Sequence, residues 1–210
     1  MTITIKKNLV NKDKYNVKCP HPMTAEFIVV HNTSNDASAA NEISYMITND
    51  KQVSFHVAVD DKEAIQGIPF ERNAWACGDG ANGKGNRKGI QIEICYSKSG
   101  GDKFTKAEQN ASKLIAQLLK DRGWDVSKVK KHQDFSNKKC PHRTLDLGWE
   151  RFVSMIQAEL NALSQPTTED RETYYRVVVA SYKDKTNAEQ MVQELKAKGY
   201  KDAFLVAFKK

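Results

Sequence analysis

Five histidines (His21, His31, His56, His132, His142) and four cysteines (Cys19, Cys77, Cys95, Cys140) are spread over 210 residues. Imidazole nitrogen and thiolate sulfur are the donors Zn2+ favours, and a catalytic zinc takes three protein ligands and keeps a fourth position for water. His31 ends an apolar run, where a side chain can emerge at a sheet edge. His132 and Cys140 stand eight apart in the polar stretch KHQDFSNKKCPHR. His31, His132 and Cys140 make one three-donor set, although spacing alone argues for it weakly. A second set stays open: Cys-Pro-His occurs twice, so Cys19, His21, Cys140 and His142 can be drawn as a closed structural site. A proline between two ligands fixes the backbone awkwardly for chelation, which disfavours it. Cys95 alternates with apolar residues and reads as a buried, inert thiol. Cys77 reads as incidental. No local nucleophile pattern surrounds any Cys, which disfavours a Cys/His protease. Glu93 lies inside IQIEIC, an otherwise apolar run. A carboxylate there either points outward from an edge strand, or binds, pairs, or takes a raised pKa as a general base beside a metal.

These residues need a scaffold. Segments 27–31, 54–59, 64–68 and 90–95 are rich in β-branched and aromatic residues and read as strands. Segment 37–48 reads as a helix with Ala40, Ile43 and Ile47 on one face, and 106–122 as a helix burying Ala111, Leu114, Ile115, Leu118 and Leu119. Thr105 and Glu108 form a capping-box pattern before the latter, and Gly123 suits its end. Segment 149–163 carries a stripe of Trp149, Phe152, Val153, Ile156, Leu160 and Leu163. Interleaved strands and helices give an α/β domain. The loop GDGANGKGNRKG, residues 78–89, fails the P-loop pattern and opens no helix of the dinucleotide-binding kind; it reads as a flexible loop beside a pocket.

Composition bounds the rest. Lys plus Arg total 33 against 26 Asp plus Glu, a net charge of +7. Residues 1–163 carry +5, the Pro-containing polar stretch 164–172 carries −2, and residues 173–210 carry +4. This places a first domain at 1–163, a linker at 164–172 and a small module at 173–210, the last reading as strand 174–182, helix 188–198 with Gly199 as its cap, and strand 203–208. With no apolar run near 18 residues, membrane insertion is not expected. The N-terminal run MTITIKKNLVNKDKY has no apolar core of a signal peptide, so synthesis without export by that route is expected. Four Cys are too few for a disulfide scaffold. The basic balance raises nucleic acid as a partner, but no basic and aromatic platform supports it, and anionic cell-wall polymer fits better.

VVHNTSNDASAANEISYM, VSFHVAVDDKEAIQGIP, RNAWACGDG, IQIEICYS and KHQDFSNKKCPHR together resemble the zinc-dependent N-acetylmuramoyl-L-alanine amidases of type 2, in the branch of Bacillus-type prophage endolysins and autolysins. The resemblance spans about residues 1–160. It implies a central mixed β-sheet flanked by helices, and hydrolysis of the amide between N-acetylmuramic acid and L-alanine of peptidoglycan. It places the Zn2+ ligands at His31, His132 and Cys140, and the catalytic carboxylate at Glu93. Lys138 matches a family lysine, and Lys138 or His56 would stabilise the oxyanion. Asp134 is a candidate partner for a metal His, with loop capping as the alternative. Relatives often carry a Tyr where this chain has Phe55, which removes a phenol from the mechanism. The tail YYRVVVASYKDKTNAEQMVQELKAKGYKDAFLVAF resembles one half of a SPOR domain, a peptidoglycan-binding module. A single half implies either pairing of two tails into a homodimer or weak docking of one. Action on the wall after release, by a holin or by mother-cell lysis, is the localisation that follows.

Overall fold

The computed structural model describes residues 2–164 and 176–208. The chain divides into two compact units, Met1–Gln165 and Pro166–Lys210. Most of the expected linker 164–172 lies outside the described residues.

The first unit is built on six strands: β1 (Ile5–Lys7), β2 (Phe27–Asn32), β3 (Val57–Val59), β4 (Ala64–Gln66), β5 (Gly89–Ile94) and β6 (Val129–Lys131). Their order is β1-β4-β3-β5-β2-β6. Only the β3–β4 pair is antiparallel; β1–β4, β3–β5, β5–β2 and β2–β6 are parallel. The central strands β2 and β5 are buried along almost their whole length, as helix-covered parallel strands must be. Six helices accompany the sheet: α1 (Tyr15–Lys18), α2 (Ala39–Thr48), α3 (Lys84–Lys88), α4 (Gly101–Arg122), α5 (His142–Asp146) and α6 (Trp149–Ser164).

The expected strands are present, β3 and β4 shorter than expected and β2 and β5 within one residue of it; β1 and β6 are additions, each three residues long and too brief for periodicity to register. In α2 the buried face is Ala39, Ile43 and Met46; Ala40 is exposed, so the apolar stripe is rotated from the expected one. In α4 the five expected core residues are all buried. The helix starts at Gly101, because Gly100 and Gly101 both adopt positive φ and turn the chain directly into it. Thr105 is inside the helix, donating to the Gly101 carbonyl, and caps nothing. Gly123, at φ 64°, ends it, with Trp124 N–H donating to the Leu119 carbonyl. Phe152 and Ile156 of α6 are buried where α6 packs on α4.

In the second unit the helix α7 (Lys185–Ala197) forms and Gly199, at φ 98°, closes it. The two flanking strands do not: the described residues of 176–182 and 203–208 carry no strand. Val177, Val178, Val179, Phe204, Val206 and Phe208 are more than half exposed. A strand needs a partner for its backbone groups and a face to bury, and a unit this small has too little apolar surface to supply both.

Candidate metal centre

The sheet brings three remote donors together. His31 sits near the C-terminal end of β2, and His132 opens a short 3-10 turn directly after β6, the strand that pairs with β2. Cys140 precedes α5 across a cis peptide to Pro141. His31 Nδ1 lies 3.0 Å from His132 Nδ1 and 4.0 Å from Cys140 Sγ. All three donor atoms lie within 4.8 Å of one another, and all three residues are buried. Asn32, the next residue after His31, clamps the start of α5 by accepting from Arg143 N–H at 2.9 Å and Thr144 N–H at 3.2 Å. The strand that supplies one donor thus fixes the helix that follows another.

Burial sets the charge states. Desolvation, then the neighbouring His132, holds the His31 pKa down to about 3, so its ring is neutral and able to ligate. Desolvation also lowers His132. Burial, with Glu93 next in weight, pushes the Cys140 thiol up to about 11. Two neutral imidazoles and one thiol with converging lone pairs fit a borderline-soft cation, whose charge would release the thiol proton.

Glu93 pairs in register with His31 on the adjacent strand β5 and so shares its neighbourhood. The residue is half-buried, but its Oε2 is sealed from solvent without a hydrogen-bond partner. Desolvation, then the carboxylate of Glu42, raises its pKa to about 8, with Lys138 acting the other way. Lys138 is exposed on the rim of an open cleft of about 750 Å3, which it lines with His132, Trp75, Gly78, Ala81 and Asn86. The glycine-rich loop therefore does flank a cleft, but it is tied down: Asp79 accepts from Gly85 and Asn86 N–H, and Asn86 accepts from Ala76 and Cys77 N–H.

Other expected residues stand elsewhere. His56 is fully buried, accepting at Nδ1 from Gln91 N–H and donating from Nε2 to the Arg72 carbonyl. Neither ring nitrogen is left for an oxyanion, and burial holds its pKa down to about 4, so the role expected for His56 does not fit its place. Asp134 accepts from Lys131 N–H and pairs with its ammonium, which is the loop-capping alternative. Cys19, His21, Cys140 and His142 do not form a donor group; the His142 ring faces the Ser97 carbonyl. Phe55 is buried and offers no hydroxyl. Cys77 is buried and its thiol donates to Gln91 Oε1 at 3.2 Å. Gln91 was overlooked, although it breaks the apolar pattern of IQIEIC just as Glu93 does, two residues away on the same face of the strand.

The N-acetylmuramoyl-L-alanine amidase family matches residues 21–143, and the SPOR domain family matches residues 148–207. The second match begins at Gly148, one residue before α6, and so includes a helix that belongs to the first unit. The chain is 58% identical over 172 residues to the N-acetylmuramoyl-L-alanine amidase CwlA of Bacillus subtilis (strain 168), covering 81% of this chain and 63% of that protein. It is 60% identical over 162 residues to the amidase XlyB of the same strain, covering 77% of this chain and 51% of that protein. The chain thus spans between half and two thirds of the length of these relatives. Among solved structures, that of PlyL superposes with a TM-score of 0.72 at 56% identity, covering 74% of this chain and 98% of that one. The catalytic domain of XlyA does so with a TM-score of 0.67 at 36% identity, covering 73% and 99%.

Proposed function

The chain belongs to the N-acetylmuramoyl-L-alanine amidase family, and from that premise we propose that it is a zinc hydrolase that cuts the amide between N-acetylmuramic acid and the L-alanine of the stem peptide. The observation that carries this reading is the convergence of His31, His132 and Cys140 beside a carboxylate oxygen that nothing in the protein satisfies. Those three residues would hold Zn2+, which supplies Lewis acidity toward the amide carbonyl and toward water. Glu93 Oε2 accepts the proton of the attacking water and returns it to the departing alanine nitrogen. Its raised pKa suits the donor role of the second step, and a cation held by His31, His132 and Cys140 would favour the carboxylate that the first step needs. Lys138, exposed at the cleft, brings an ammonium to the charge that develops on the carbonyl oxygen. Phe55 leaves the proton traffic to Glu93, since it has no acid of its own.

The wall is the proposed partner of both units, and the SPOR match supports that reading for the tail. Among the described residues no helix is long and apolar enough to cross a membrane. We place synthesis in the cytoplasm and action on the wall after release. The exposed apolar residues at 177–179 and 204–208 favour pairing of two tails, which would supply each unmade strand with a partner. The deciding experiment for the activity is digestion of purified peptidoglycan followed by end-group analysis. New N-terminal L-alanine without new reducing sugar is expected; new reducing ends would replace the amidase reading with a glycosidase.

A further inference from the structure

The Gln91 side chain lies behind the metal centre with every polar atom engaged. Its Nε2 donates to the carbonyls of Gly85 at 2.6 Å and Gly89 at 3.0 Å. Two carbonyls accept only from the NH2 end, so the amide orientation is fixed: Oε1 is the atom that faces the centre. That oxygen stands 2.8 Å from His31 Nε2 and 3.2 Å from the Cys77 thiol. An amide oxygen only accepts, so His31 carries its proton on Nε2 and presents a bare lone pair on Nδ1, the atom nearest His132 and Cys140.

The anchors have been made room for. A Cβ on Gly85 would lie 2.7 Å from Cys77 Sγ, and one on Gly89 would lie 2.9 Å from Gln91 Nε2 and 2.6 Å from Val29 Cγ2. Both glycines keep ordinary φ, so close approach rather than backbone freedom excludes side chains there. The end of the glycine-rich stretch thus serves the centre through two carbonyls.

We propose that Gln91 is a positioning residue of the metal centre, which fixes the His31 tautomer and ring orientation through an amide locked by the Gly85 and Gly89 carbonyls, with the Cys77 thiol sharing its oxygen. The inference rests on His31 being a zinc ligand. A neutral acceptor orients the ring without adding a second negative charge to the one Cys140 brings.

The test uses the full chain and Zn2+ itself. Gln91→Met keeps the volume and removes the acceptor; Gln91→Glu keeps an acceptor and loses both donors. Nitrogen NMR of the histidine rings in chelated parent protein is expected to show His31 as the Nε2–H tautomer. Gln91→Met is expected to show a mixture and, by chelator competition, a zinc affinity 10–100-fold weaker, and Gln91→Glu, which sets an oxygen against the two carbonyls, is expected to recover little of it. An Nδ1–H tautomer in the parent overturns the proposal even if neither variant folds. So does a folded Gln91→Met that binds zinc within twofold of the parent. A parent that binds no zinc, or a His31→Ala that binds it unchanged, instead removes the premise that His31 is a ligand.

Discussion

A carboxylate oxygen closed off from water with no donor beside it is costly, and Glu93 Oε2 is in that position. The cost is tolerable where a bound ion and a reacting water complete the environment. Glu93→Gln is therefore expected to keep the fold and about one equivalent of zinc while losing about 10²–10⁴-fold in kcat, read by cell-wall turbidity clearing alongside metal analysis. A second consequence concerns stability after chelation. The folded pKa of Glu93, raised to about 8 against an ordinary 4.5, means its contribution is fully present below pH 4.5 and is lost as pH rises to 8. His31 and His56, held down to about 3 and 4, contribute in the opposite sense: fully above pH 6.5, lost as pH falls. Melting of chelated parent and Glu93→Gln at a series of pH values should show the variant gaining on the parent by several degrees between pH 4.5 and 8; parallel curves would count against the burial argument. Glu93 was legible in the sequence because a charge in an apolar strand demands a reason. Gln91 was not, because a neutral amide can satisfy itself anywhere, and only its partners show what it does. The convergence of His31 with two donors a hundred residues later was carried by family resemblance; no local pattern encodes it.

At the scale of elements, the long amphipathic helices and the central strands were legible, and the peripheral strands β1 and β6 were not. The period of α4 placed its core residues correctly, whereas β1 and β6 owe their existence to neighbours that offer free backbone groups. Helix starts were also hidden: α4 begins at a pair of positive-φ glycines, a backbone event that the capping pattern at Thr105 masked. The α4–α6 packing contains an ion pair, Arg151 to Glu108 at 2.6 Å, in which Glu108 is 3% exposed and Arg151 40%. Removing the arginine strands a buried carboxylate, so Arg151→Ala should cost about 1–3 kcal/mol in urea unfolding, the lower part of the range for broken buried pairs because one partner is partly solvated. Replacing both residues with Leu and Met should recover most of that loss.

For the whole molecule, the two units differ in what they can do alone. The first encloses a core on both faces of its sheet. In the second, α7 buries no residue and the apolar segments flanking it lie open. The βαβ pattern was readable there, but pairing is a collective property that so short a segment cannot enforce. Light scattering at tens of micromolar should give a dimer mass for the full chain and a monomer mass for a chain ending at residue 164; a monomeric full chain would reject tail pairing.

The proposed donors at positions 31, 132 and 140 would impose an order on biogenesis. A polypeptide still emerging from the ribosome has no centre at all until its last donor is free and the strand bearing the second has docked beside the first. On that proposal, fragments ending short of Cys140 should bind Zn2+ far more weakly than the full chain, and the proposed hydrolysis would be withheld until synthesis of the first unit is nearly done.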